Sequence, residues 1–219
     1  MGLTEYRKKR RFDVTSEPAG AKTPRGAKAK KLSYVIQKHR ATALHYDFRL
    51  EWNGVLLSWA VPKGPSLDPS VKRMAMPTED HPIEYAKFEG IIPEGEYGGG
   101  TVMIWDNGTW TPESPDVDAA LKKGDLKFRL DGRKLHGSWV LVRIRAREGG
   151  RPPWLLIKHR DEFASKTDVA EWTAPINRPR SMSPVPHGRS LASYWLRFSS
   201  RPRRSRRLTL RATIGSPSW

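Results

Sequence analysis

Between Leu44 and Trp52 the chain alternates without interruption. Leu44, Tyr46, Phe48, Leu50 and Trp52 are apolar, and His45, Asp47, Arg49 and Glu51 lie between them. Side chains along a strand point alternately to opposite faces, so the pattern predicts a strand with a greasy side and a polar side. Residues 32–38 read as the strand before it. Asn53-Gly54 is a two-residue hairpin signal, with the return strand over 55–61. Pro62-Lys63-Gly64-Pro65 then stops that strand in a stiff loop.

The same punctuation continues. Residues 66–100 read as mostly loop, with a brief strand over 73–77. A hairpin is predicted from strands 101–105 and 109–111 around Asp106-Asn107-Gly108, then a short helix over 117–123 closed by Gly124. A third hairpin joins 126–130 to 135–145 through Asp131-Gly132. A last strand covers 154–159, and one helical turn covers 161–165. Many short strands with frequent turns favour a mostly β fold: a compact antiparallel β-barrel with a few short helices.

Charge changes the picture at the ends. The net charge is +17. Residues 1–31 hold ten Lys/Arg against Glu5, Asp13 and Glu17, and 178–219 hold ten Arg and no acid. Residues 32–177 carry twenty basic and twenty acidic side chains, so all the excess lies in the flanks. Three parts follow: a basic N-terminal arm over 1–31, a barrel domain over 32–175, and an Arg-, Ser- and Pro-rich tail over 176–219 expected to be disordered. The arm is expected to be ordered only where it packs on the barrel. Basic flanks of this kind bind polyanions by counterion release, without reading sequence. With no cysteine, disulfides, thiolate metal sites and thiol nucleophiles are excluded. The N-terminus lacks an apolar signal region and no segment has membrane-spanning length, so a soluble cytoplasmic protein is expected.

The candidate chemistry sits in H-R-A-T-A-L-H-Y-D-F-R (39–49). His45, Asp47 and Arg49 share a strand face, and the turn at 40–43 carries His39 back over the same surface. Two imidazoles and a carboxylate are ligands for a divalent transition metal, and arginine is suited to grip a phosphate. Together they point to metal-assisted phosphoester chemistry, against the blander reading of a solvated strand face. His136, His159 and His187 have no polar partners at useful spacing and read as structural or solvent-facing.

Long motifs then occur in order: Y-V-I-Q-K-H (34–39), L-H-Y-D-F-R-L-E (44–51), W-A-V-P-K-G-P-S-L-D-P (59–69), E-D-H-P-I-E-Y (79–85), F-E-G-I-I-P-E-G-E-Y-G (88–98), T-V-M-I-W-D-N-G-T-W (101–110), K-L-H-G-S-W-V-L-V-R (134–143) and W-L-L-I-K (154–158). Over roughly residues 5–170 the chain resembles the 3′-phosphoesterase domain of bacterial DNA ligase D. The resemblance implies a compact barrel and a manganese-dependent end-healing activity in non-homologous end joining. That activity removes a 3′-terminal ribonucleoside and then the 3′-phosphate from DNA or RNA–DNA ends. It implies His39, His45 and Asp47 as metal ligands, and Arg49, Lys63, His81 and Tyr85 as the phosphate-contacting set. Gln37, Arg73 and Glu79 would support them. His81 is open between general acid to the leaving oxygen and phosphate donor.

In the arm, Arg10 and Glu17 match the family pattern, while Arg11 stands where an Asp is expected and Asp13 lies two residues on. The ribonucleoside step is therefore the more exposed to failure. The polymerase and ligase domains of the full ligase have no counterpart in the sequence, which reads as a stand-alone relative whose partners would include Ku or a ligase. Two other readings compete: a non-catalytic nucleic-acid-binding barrel that recruits repair partners, and a metal phosphoesterase for small phosphate esters.

Overall fold

In the computed structural model of the chain, residues 2–20, 31–146 and 151–169 are described, all within one compact unit, Met1–Ile176. The tail assigned to 176–219 and the arm segment 21–30 lie outside the described residues. Nine strands are present among the described residues: β1 (Leu32–Arg40), β2 (Leu44–Trp52), β3 (Val55–Val61), β4 (Arg73–Pro77), β5 (Gly90–Ile92), β6 (Gly100–Pro112), β7 (Asp125–Gly132), β8 (His136–Arg143) and β9 (Trp154–Lys158). Two short helices, α1 (Thr4–Lys8) and α2 (Val117–Lys123), and a 3-10 turn at Ile83–Lys87 complete it.

The strands pair antiparallel in the order β1-β2-β3-β4-β9-β8-β7-β6, and β6 pairs back with β1. That closes an eight-stranded barrel, the mostly β architecture the turn spacing predicts. β5 hangs on the first residues of β6 (Ile92↔Gly100 to Gly90↔Val102). Closure leaves no free edge in the ring, and eight strands make an interior that side chains alone can fill. Tyr34, Ile36, Tyr46, Phe48, Leu50, Leu57 and Trp59 from β1–β3 meet Trp110, Phe128, Leu130, Trp139 and Leu156 there.

Local chemistry explains the elements that the sequence predicts. Asn53 (φ 49°) and Gly54 (φ 81°) are both left-handed, the two-residue turn that matches strand twist between β2 and β3. Asp116 caps α2 by accepting from Ala119 N at 2.9 Å, and Gly124 ends it in the left-handed region.

Two expectations fail. Residues 101–111 are not a hairpin but parts of one 13-residue strand, β6, with a register shift opposite Ile36/Gln37. Asp106 does not turn the chain. Its carboxylate is buried and accepts from the backbone N–H of Arg133, Lys134 and Leu135, each at 3.0 Å, and from Tyr34 O–H at 2.7 Å. Gly108 is needed for close approach rather than for a bend, because a Cβ there would lie 2.2 Å from Asp131 O. Residues 161–165 form a reverse turn closed by Ala164 N to Asp161 O at 3.1 Å, not a helical turn. Residues 66–100 are mostly loop with β4 over 73–77, as expected, and also hold the 3-10 turn, β5 and a backbone bridge between Leu56 and His81.

The polar face of β2 is not the wet side of the sheet. Residues 2–20 and 79–98 cover the outer wall of β1–β3 with a second apolar cluster of Tyr6, Leu56, Tyr85, Phe88, Ile92 and Val102. The arm's condition for order is thus met over 2–20: Tyr6 is fully buried and its hydroxyl donates to Pro18 O at 2.6 Å. A polar set is sealed between wall and cover.

Candidate active site

The antiparallel register places the site. In the β1–β2 pair, His39 lies opposite His45, Gln37 opposite Asp47 and Val35 opposite Arg49, while Arg49 faces Ser58 across β2–β3. Odd-numbered residues of both strands point outward, so the bend at 41–43 brings the two imidazoles side by side, with ring centroids 4.7 Å apart. One donor atom each from His39, His45 and Asp47 lies within 4.8 Å of the others.

The imidazole tautomers follow from their outer partners. His39 Nε2 is 2.8 Å from Gly98 O, and His45 Nδ1 is 3.0 Å from Ala43 O. A carbonyl only accepts, so those nitrogens carry the protons. The remaining lone pairs, His39 Nδ1 and His45 Nε2, stand 3.3 and 3.6 Å from the Asp47 carboxylate. Backbone carbonyls orient metal-ligating histidines in this way. Acceptors thus converge with Arg49 Nη2, 3.2 Å from Asp47 Oδ2, as the cationic neighbour. The cluster is short of positive charge, and a divalent cation fits that donor set. Burial tends to raise the Asp47 pKa, but the Arg49 guanidinium beside it holds it well below the usual carboxylate range.

Arg49 is only 2 % exposed. Its Nε donates to Gln37 Oε1 and its Nη1 to Ser58 Oγ, both at 2.8 Å. Gln37 is itself fixed by donating to Tyr85 O (3.1 Å) and Phe88 O (2.8 Å), so the guanidinium plane is set from behind. His81 stands between two guanidiniums. Its Nδ1 lies 2.8 Å from Glu79 O and 2.9 Å from Arg49 Nη1, and its Nε2 lies 3.2 Å from Arg10 Nη2. Burial, then Arg49 and Arg10, push its pKa well below the ordinary value, so the ring is neutral at pH 7.

The arm completes the site. Arg10 donates to Glu17 at 2.8 Å, to Glu79 at 2.9 Å and to Tyr6 O at 3.2 Å, with its guanidinium 3.9 Å from the Tyr6 ring centre. Glu17 also accepts from Tyr85 O–H (2.9 Å) and Thr15 O–H (3.0 Å). Lys9 reaches Glu79 at 3.0 Å. Burial raises the Glu79 pKa, and the Arg10 and Lys9 hydrogen bonds more than offset this and lower it.

Gln37, His39, His45, Asp47, Arg49, Glu79, His81, Tyr85, Arg10 and Glu17 therefore belong to one connected network. Lys63 and Arg73 do not join it. Lys63 is exposed, two residues past Val61, which pairs with Tyr46 at the His45 end of β2. Arg73 shares its strand face with Ala75, which packs in the barrel core, and its nearest acid is Asp168 at 4.0 Å. Arg11 turns outward to an ion pair with Glu96, its Nε 3.1 Å from Oε1. The sequence reading missed Ser58, Lys9 and the carbonyls of Gly98 and Ala43. Ser58 was legible as the outward residue opposite Arg49 in the hairpin register, but a carbonyl that accepts from an imidazole leaves no side-chain signal.

Fold and site together define a β-barrel with a candidate cation site on its outer wall, backed by a fixed arginine. Residues 37–143 match the model of the DNA Ligase D 3′-phosphoesterase domain. The chain is 54% identical over 166 residues to a multifunctional non-homologous end joining protein LigD of Pseudomonas aeruginosa, covering 76% of this chain and 19% of that protein. It is 46% identical over 174 residues to the multifunctional non-homologous end joining DNA repair protein LigD of Mycobacterium tuberculosis, covering 80% and 22%. The chain belongs to the DNA ligase D 3′-phosphoesterase family. It spans about a fifth of the length of these relatives. No helix among the described residues is long and apolar enough to cross a membrane.

Proposed function

We propose that this protein is a divalent-metal-dependent phosphoesterase that removes 3′-phosphates from nucleic-acid ends during non-homologous end joining. The convergence of His39 Nδ1, His45 Nε2 and an Asp47 carboxylate oxygen beside the Arg49 guanidinium carries this reading. His39, His45 and Asp47 would hold the metal, taken to be Mn²⁺. When bound, it supplies a charge that polarises a phosphoryl oxygen.

The protein's own groups supply the rest. Arg49 has five N–H groups, and Gln37, Ser58, His81 and Asp47 face four of them. An Nη2 proton beside the metal ligands remains for a phosphoryl oxygen, held where charge develops rather than recruited at the moment of reaction. His81, neutral and lodged between the two guanidiniums, suits the positioning of Arg10 and Arg49 better than general acid work. Tyr85 gives its hydroxyl to Glu17 and its ring to Arg49, 4.9 Å away. Lys63 contributes a mobile charge at the rim. Arg73 supports the barrel end rather than the phosphate.

The substrates proposed are 3′ ends of primer–template DNA or RNA–DNA, with other end-joining proteins such as Ku or a ligase as partners and the cytoplasm, at the nucleoid, as the location. Residues 32–175 form the catalytic barrel, and the docked arm serves as part of the site. Removal of a 3′-terminal ribonucleoside is proposed as the weaker activity, since Arg11 is drawn to Glu96 where the family pattern has an acid. The test is an end-healing assay with manganese on paired 3′-phosphate and 3′-ribonucleotide primer–templates. Phosphate release that disappears in His45→Ala is expected; absence of turnover with every divalent metal tried would overturn the proposal. Tight, salt-sensitive binding that survives His45→Ala with no released phosphate would favour the non-catalytic barrel instead.

A further inference from the structure

We propose that Tyr97 forms a nucleobase subsite at the rim of the active site, stacking on the base at the 3′ end whose phosphate the metal centre engages. The inference rests on the function proposed above and adds what recognises the nucleotide rather than its phosphate.

Three observations carry it. First, Tyr97 is 48% exposed, and Tyr97 and Phe163 are the only aromatic side chains among the exposed large hydrophobics of the described residues. The other aromatics near the site, Tyr6, Tyr85 and Phe88, are sealed in the cover. Second, its position is tied to the metal ligands. Tyr97 precedes Gly98, whose carbonyl fixes the His39 ring at 2.8 Å. Its loop is stiff: Glu96 N bonds to Pro93 O at 3.2 Å and Gly99 N to Glu96 O at 2.9 Å. Gly99 lets the loop close on itself, since a Cβ there would come 2.8 Å from Pro93 O. The platform is therefore held in place before any ligand arrives.

Third, the ring is set among cations. The Tyr97 hydroxyl is 3.2 Å from Lys9 Nζ, which lies 4.5 Å from the ring centre. The Arg10 guanidinium is 5.5 Å from the same centre and 3.2 Å from His81 Nε2. Lys9 and Arg10 are neutralised by Glu79 and Glu17 and serve to hold the ring, and an exposed aromatic face beside a phosphate-binding centre is how proteins stack nucleic-acid bases without choosing among them. The subsite should therefore tolerate any of the four bases, which suits an enzyme that must accept whatever end a break leaves.

The test pairs a substitution with a change in substrate. Wild type, Tyr97→Ala, Tyr97→Phe and Tyr97→Trp are assayed with manganese on a 3′-phosphate primer–template whose terminal nucleotide is either intact or abasic. Tyr97→Ala is expected to raise KM about five- to 150-fold on the intact end with little change in kcat. Removing the base should raise the wild-type KM by a similar factor and leave Tyr97→Ala unmoved. Tyr97→Phe and Tyr97→Trp should keep the wild-type KM. A 2-aminopurine at the 3′ end should be quenched on binding wild type and not on binding Tyr97→Ala, a readout independent of turnover. If Tyr97→Phe is as impaired as Tyr97→Ala, the hydroxyl bond to Lys9 matters and stacking does not. If both proteins respond equally to base removal, the subsite does not exist. A wild type that releases no phosphate from any end defeats the phosphoesterase reading itself, and the 2-aminopurine signal still decides the subsite.

Discussion

Replacing Arg10 with alanine tests whether the arm is a working part of the site or a tether. Arg10 is nearly sealed, with 5% of its side chain exposed, and it joins two carboxylates that are 1% and 3% exposed, those of Glu17 and Glu79. Removing one partner of a buried ion pair costs about 3–5 kcal/mol, because the remaining charge is left without compensation. The low end applies here. Lys9 still reaches Glu79, and Tyr85 and Thr15 still donate to Glu17. The burial of Tyr6, worth roughly 1.5–3 kcal/mol, is left as the main opposing hold on the arm. About 3 kcal/mol corresponds to roughly a 150-fold shift in the opening equilibrium.

Hydrogen exchange read by mass spectrometry resolves this. The amides of Arg7, bonded to Leu3 O, and Thr15, bonded to Arg11 O, should exchange about a hundred times faster in Arg10→Ala at pH 7. Amides of β1 and β2 should change by less than about threefold, because the barrel closes without the arm. Manganese affinity should stay within a similar factor, since His39, His45 and Asp47 take their orientation from Gly98, Ala43 and Arg49. Unchanged protection in the arm, or loss of protection in β1 and β2 together with it, would refute the argument.

Two further perturbations separate fold from cover. Asp106→Ala leaves three backbone N–H groups and the Tyr34 hydroxyl without their acceptor, so urea unfolding should show a loss on the order of 3–6 kcal/mol; a loss below about 1 kcal/mol would mean water replaces the carboxylate at no penalty. Glu79 has a folded pKa below its ordinary 4.5, so its stabilising contribution is complete above about 4.5 and is lost as pH falls through the folded value. Urea midpoints should therefore fall between pH 4.5 and 3 more steeply in wild type than in Glu79→Gln, and equal slopes would count against the Arg10–Glu79–Lys9 link.

How much of this was legible in the sequence depends on whether the cause was local. The β2–β3 hairpin and α2 were readable because Asn53-Gly54, Asp116 and Gly124 act on their own neighbours. The convergence of His39, His45 and Asp47 was readable because a strand period of two fixes which residues share a face. β6 was misread because Asp106-Asn107-Gly108 has turn composition, while its actual duties are non-local. Asp106 serves the segment at 133–135, and Gly108 makes room for Asp131. The arm's composition suits a solvated tail as well as a docked one. Its order comes from Arg10 finding Glu79, 69 positions away, a pairing that composition does not encode. Arg10 and Glu17 are indicated only by the family resemblance, and so is Arg73, although its strand parity turns it toward the core.

The location of the site follows from the size of the barrel. An eight-stranded ring has its interior filled by its own side chains, and here Trp110, Phe128 and Trp139 do so, leaving no room for a substrate. Chemistry must therefore be built on the outer wall, where a strand face would ordinarily be wet and its charges screened. The cover solves this at a specific expense. It must itself bring polar partners for the groups it dries, because a buried guanidinium or carboxylate without one is heavily destabilising. His81 and Tyr85 face Arg49 from the cover, and Arg10, Glu17 and Glu79 hold those two rings in place. Arg10 connects cover to wall through His81, whose ring touches both guanidiniums of the site. On this argument the N-terminal segment cannot be trimmed as a flexible basic tail, even though its composition is that of one.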